Sequence, residues 1–130
     1  LANYQLPDVV AEGIDGVEVW NASYNTRYLP DPRAIRLLHT IRRSRPDVVG
    51  TAGLDQHDCG NDRQVRVVVD AATGDPIAAL KTGRFVNLGR TMSFGAAVKW
   101  NPARLRVLSA ARWALDRVER AQERLARRAH

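Results

Sequence analysis

Asp47-Val48-Val49-Gly50-Thr51-Ala52-Gly53 is the stretch on which the fold turns. It is a short apolar run bounded by turn formers, the pattern of a strand covered on both faces, as parallel sheets require. Upstream, Asp31-Pro32 opens a helix, with Asp as N-cap and Pro at the first helical position, where its missing N–H costs nothing. Ala34, Leu37, Leu38 and Ile41 share one face of that helix, Arg33, Arg36, Arg42 and Arg43 decorate the rest, and Pro46 stops it. Before it, Ile14-Asp15-Gly16-Val17-Glu18-Val19-Trp20 is β-branched and aromatic and alternates in polarity, so it reads as a strand followed by a polar loop from Asn21 to Pro30. Strand, helix and strand make a βαβ unit, which implies parallel pairing through a right-handed crossover.

Further outward the pattern changes. Residues 1–13, with Pro7 and Asp8 before Val9-Val10-Ala11-Glu12, read as a helix end or an irregular lead-in. Downstream of the unit, Val65-Arg66-Val67-Val68-Val69 is a strand. Asp75-Pro76 caps a short helix from Ile77 to Lys81, and Gly83 is placed to end it in a left-handed conformation. Arg84 to Leu88 reads as another strand, and Met92 to Val98 leaves room for one more. Asn101-Pro102 starts a helix that meets no breaker toward the C-terminus. Three segments follow: 1–63, 64–100 and 101–130.

Composition bounds the classes of function. An apolar content of 45% fits a folded chain rather than a disordered one. No apolar run approaches the roughly 18 residues of a membrane span. Nor does a basic-then-apolar leader open the sequence. A single cysteine, Cys59, excludes an internal disulfide and is compatible with a reducing compartment, so a cytoplasmic protein is expected. The net charge of +6 would point to nucleic acid if it were spread over the chain. Residues 1–100 hold 12 basic and 11 acidic side chains, whereas residues 101–130 hold 8 Arg against Asp116, Glu119 and Glu123. The surplus belongs to the tail.

Functional groups of parallel α/β units gather where the strands end, because the loops there converge on one face. Leu54-Asp55-Gln56-His57-Asp58-Cys59-Gly60-Asn61-Asp62 stands in that position after the second strand. On an extended strand end, residues two apart point to the same side, so the Asp55 carboxylate and the His57 imidazole can converge on one cation. Mixed oxygen and nitrogen ligands suit Zn²⁺, Mn²⁺ or Fe²⁺. The bland counterpart is a surface loop in which Asp55 caps a turn and His57 is solvated. Glu18 reads either as a group orienting a ligand or bonding Arg27, or as a strand residue facing solvent. Asn21, Asn25 and Arg27 follow the first strand toward the same mouth, with Arg27 a phosphate clamp or a solvated loop side chain. Asp58 and Asp62 read either as an extension of the ligand set or, the better fit, as solvated loop residues.

These stretches carry a resemblance. Gly13-Ile14-Asp15-Gly16-Val17-Glu18-Val19-Trp20-Asn21, a helix, and a strand ending in Gly53-Leu54-Asp55-Gln56-His57 resemble the final barrel segment of polymerase and histidinol phosphatase (PHP) domain proteins. Asp75-Pro76-Ile77-Ala78-Ala79-Leu80-Lys81-Thr82-Gly83-Arg84-Phe85 resembles the element that follows it in that family. The resemblance spans about residues 13–88. It implies an α/β fold that is a fragment of a distorted (β/α)7 barrel, one βαβ unit followed by extra strands and the long C-terminal helix. It also implies a metal-dependent phosphoesterase holding up to three divalent ions, with Asp55 and His57 as metal ligands. The substrate would be a phosphorylated small molecule or a phosphodiester. Leu54 stands where the family has a small residue. The family's earlier His-x-His, Glu and further His motifs do not occur, since His39, His57 and His130 are the whole histidine complement and His39 lies in the helix. Together with Leu1 in place of an initiator Met, this leads to the expectation of a C-terminal portion that lacks a complete site and is inactive by itself.

The tail offers a rival reading. Leu108, Ala111, Leu115, Val118, Gln122 and Leu125 repeat at three and four, a heptad-like seam. Arg117, Arg120, Arg124 and Arg127 fall on the opposite face, with Asp116 and Glu123 four residues before Arg120 and Arg127. This pattern fits a helix packed on its own domain or on a partner copy, hence a possible homo-oligomer, or a non-catalytic module that binds a partner helix or polyanion. Nucleic acid and membrane are not the expected partners, because Trp113 is the helix's one aromatic residue and no DNA-binding motif accompanies it.

Overall fold

A computed structural model describes residues 13–21, 28–53, 65–70, 72, 74–89 and 91–128. The described residues are mixed α/β, with five strands in two small sheets and a long C-terminal helix. In chain order these are β1 (Gly16–Asn21), α1 (Pro32–Ile41), β2 (Val49–Gly53), β3 (Arg66–Val69), α2 (Pro76–Lys81), β4 (Phe85–Leu88), β5 (Ser93–Gly95) and α3 (Pro102–Arg128). Two compact units result, Leu1–Lys99 and Trp100–His130.

The βαβ unit forms as its sequence dictates. Asp31 is the N-cap of α1: its carboxylate accepts from the Arg33 N–H at 2.8 Å, while its own N–H donates to the Val19 carbonyl at 2.7 Å. The face that α1 buries carries Pro32, Ala34, Ile35, Leu38 and Ile41. Ala34, Leu38 and Ile41 are buried as the shared face requires, while Ile35 is fully enclosed and Leu37 lies half-buried at the margin of that face. The helix closes at Ile41, short of Pro46, through a turn in which the Arg42 and Arg45 N–H groups reach back to the Leu38 and Ile41 carbonyls. α1 packs on both β1 and β2.

β1 and β2 pair in parallel, from Gly16 opposite Val49 to Asn21 opposite Gly53. The register slips between Glu18 and Trp20, so Val19 has no partner across the pair. Such a bulge breaks the alternation of side chains. Here it turns both Val19 and Trp20 inward. The Trp20 ring stacks on Phe94 of β5, with centroids 6.0 Å apart. Among the described residues its Nε1 has no hydrogen-bond acceptor.

β3, β4 and β5 form an antiparallel meander. Asp75 caps α2, accepting from the Ile77 and Ala78 N–H groups, and Gly83 at φ 70° ends it, as a residue without Cβ does readily. Val49, Phe85 and Ala96 form a core cluster with Val67, Val69 and Leu80 against it. The two sheets meet along the edge of β2 opposite β1. There the Gly50 N–H donates to the Ala96 carbonyl at 2.8 Å. The buried Asn87 side chain of β4 fills the rest: its Oδ1 accepts from the Ala52 N–H at 2.8 Å and its Nδ2 donates to the Gly50 carbonyl at 2.9 Å. Gly50 is the point of closest approach, since a Cβ there would lie 2.6 Å from Val98 Cγ2 and 2.8 Å from Leu38 Cδ2. Val98 itself adopts φ 44°, a strained conformation for a β-branched residue. Its carbonyl lies 2.7 Å from His39 Nε2. A carbonyl only accepts, so Nε2 carries the proton.

In the second unit, the Asn101 side chain caps α3 by accepting from the Arg104 N–H at 2.9 Å. Leu105 and Leu108 are buried, while Val107, Trp113, Val118 and Leu125 are exposed. The seam expected through Leu108, Ala111, Leu115, Val118, Gln122 and Leu125 thus runs from a buried position at Leu108 to exposed ones at Val118 and Leu125. Among the described residues, no helix is long and apolar enough to cross a membrane.

Candidate functional site

The parallel pair ends with Asn21 and Gly53 side by side. Two things bring functional atoms to this edge. Ordinary strand alternation leaves Glu18 on the solvent side of β1, just before the bulge at Val19. The absence of a side chain at Gly53 leaves open the space across the pair, and Glu18 occupies it: a Cβ on Gly53 would overlap Glu18 Oε1. The other oxygen, Oε2, accepts a hydrogen bond from Asn21 Nδ2 at 2.9 Å. Glu18, Asn21 and Gly53 thus form one corner, in which a carboxylate lies across two strand ends and orients an amide.

Of the residues singled out from the sequence, Glu18 and Asn21 come together here, and Glu18 is exposed, as a strand residue facing solvent would be. Asp55, His57 and Arg27 lie outside the described residues, as do Asn25, Asp58, Cys59, Asp62 and His130. In sequence Asp55 and His57 stand two and four residues beyond Gly53. His39 is remote from this corner in role, being engaged by the Val98 carbonyl. Among the described residues no three His, Cys, Asp or Glu side chains gather closely enough to hold a metal ion.

Chemically, the corner supplies one carboxylate with an oxygen committed to an amide. That suits a group that positions a neighbour better than one that acts alone. The role of the corner's third member escaped the sequence reading, in which Gly53 ends the strand before Asp55 and His57: that Glu18, paired with Thr51, reaches across to Gly53 depends on the register of the parallel pair. Asn87 escaped for a different reason, since one polar residue in an apolar strand reads equally well as an outward-facing position.

Compared with known proteins, the chain matches no protein-family model, and no curated protein and no solved structure is significantly similar to it.

Proposed function

We propose that the chain is the C-terminal portion of a metal-dependent hydrolase of the PHP type, acting on phosphoesters, and that β1–α1–β2 is one unit of its distorted (β/α)7 barrel. The observation that supports this reading most directly is the parallel pair whose ends bring Glu18, Asn21 and Gly53 together. The Asp-x-His pair follows that corner within four residues of sequence. In parallel α/β architectures this end of the strands collects the reactive groups.

On this reading Asp55 and His57 hold a divalent ion, Zn²⁺, Mn²⁺ or Fe²⁺, with a carboxylate oxygen and an imidazole nitrogen. Bound there, such an ion lowers the pKa of water and polarises a phosphoryl oxygen. Glu18 keeps the Asn21 amide turned toward the mouth, and Arg27 meets a substrate phosphate with its planar fork of donors. The remaining ligands that the family uses are missing from these 130 residues. The chain alone therefore binds metal weakly and does not turn over substrate.

Calorimetric titration with Zn²⁺ and with Mn²⁺ tests this. The intact chain should bind one of them weakly, and Asp55→Ala and His57→Ala should each lower the affinity by about tenfold or more, the scale seen when a metal site loses supporting groups. Equal affinities in all three proteins would remove the metal assignment. Phosphatase turnover above background by the chain alone would instead overturn its description as an incomplete site.

A further inference from the structure

The exposed side of α3 carries a feature that the hydrolase reading leaves unused. Val107, Ala111, Ala114, Val118, Ala121 and Leu125 follow one another at alternating steps of four and three. That is the spacing of a coiled-coil seam. In the chain these residues are largely exposed: Val107 by 70%, Val118 by 53% and Leu125 by 66%. Large apolar side chains repeated along one exposed helical line mark a surface that gains from being covered. The residues between them are alanines, which let a second helix approach closely.

One flank of this seam is basic. Arg117 and Arg124 border it directly, and Trp113 and Arg120 lie just beyond on the same side. Trp113, Arg117, Arg120, Ala121 and Arg124 line a shallow recess of about 300 Å³. The Arg117 guanidinium lies over the Trp113 ring, 4.6 Å from its centroid. Its N–H donors lie in the guanidinium plane, the direction from which a carboxylate makes two parallel bonds.

We propose that α3 is a docking helix for an acidic amphipathic helix of another protein, which covers the Val107–Leu125 seam and sets carboxylates against Arg117, Arg120 and Arg124. Charge complementarity selects this occupant. A second copy would bring together two tails that each hold 8 Arg against 3 acidic residues. Nucleic acid would satisfy the arginines but leave the seam exposed. A membrane surface favours a broad face of bulky apolar side chains, whereas this line is one residue wide and half alanine. The inference does not depend on the hydrolase assignment.

The test measures binding of the full chain to two synthetic 28-residue helical peptides with the same Leu/Val heptad seam, one carrying Glu and the other Lys on its flanks. The Glu peptide should bind at least tenfold more tightly than the Lys peptide, and added salt should narrow the gap. Val118→Lys adds a positive charge at an exposed position, so simple charge attraction would keep or strengthen binding. If the seam is used, binding falls at least tenfold, with helical content checked by circular dichroism. Arg117→Glu with Arg124→Glu should reverse the preference between the peptides. The proposal is overturned by equal binding of both peptides or by undiminished binding in Val118→Lys. It is also overturned by tighter binding to a 20-nucleotide DNA strand or to phosphatidylglycerol vesicles, or by dimerisation of the chain alone in sedimentation.

Discussion

The parallel pair and the antiparallel meander differ in how much of each strand is enclosed. β2 runs buried at Val49, Gly50 and Ala52, with α1 against it and the meander along its edge. β3 alternates exposed and half-buried residues and has no fully buried position, and β4 alternates buried Phe85 and Asn87 with exposed Val86. A parallel strand covered on every side must have each backbone group satisfied from within the protein. The antiparallel strands can turn one face to water. Positions around β2 should therefore be sensitive to single atoms, and outward positions of the meander should tolerate substitution.

Asn87 is where that contrast should show most. Though it belongs to the meander, its side chain serves β2, so Asn87→Ala leaves the Ala52 N–H and the Gly50 carbonyl buried and unbonded. Each lost partner costs about 1–3 kcal/mol. Against a typical total stability of about 5–15 kcal/mol, this is the largest effect expected. Denaturant titration measures it, and a loss below about 1 kcal/mol would mean that water replaces the amide. Gly50→Ala comes next. Its new methyl would press on Val98 and Leu38, an overpacking that costs about 1–3 kcal/mol. A neutral outcome would show the junction between the sheets to be looser than the one described.

The smallest effect lies at the rim of the same half. Arg45 bonds Asp47 at 2.7 Å on the surface before β2, and this hydrogen bond holds the Asp47 carboxyl below its ordinary value. A carboxyl whose folded pKa is depressed contributes stability above its unfolded pKa and loses it as pH falls through the folded one. Because the Asp47 side chain is largely exposed and water screens the pair, Asp47→Asn should lower neutral-pH stability only slightly. It should remove only a shallow acid dependence below the ordinary carboxylate range, read by comparing thermal melts across that range. A clear loss at neutral pH would show that the pair matters beyond its surface charge.

How far the sequence discloses the molecule follows the same division. The caps at Asp31 and Asp75, the left-handed Gly83 and the two parallel strands were legible, because each rests on residues next to one another in the chain. What was not legible depends on partners far away. Nothing near Asn87 announces that it will bond β2, and nothing near Val98 announces a left-handed backbone held beside His39. The stripe expected on α3 joins a buried residue, Leu108, to exposed ones, Val118 and Leu125, since periodicity gives the spacing of a stripe and not how much of it is covered. At the candidate site, Asn21 reads as following the first strand and Glu18 as lying within it. Their mutual bond was not legible, because it depends on the room at Gly53.

The Asn87 bridge also has a kinetic side. The amide proton of Ala52 is locked by a side chain and not by a neighbouring strand's backbone. Its exchange with deuterated solvent therefore requires β4 to lift away, even if β1 and β2 stay paired. A residue of one sheet thus reports the local opening of the other.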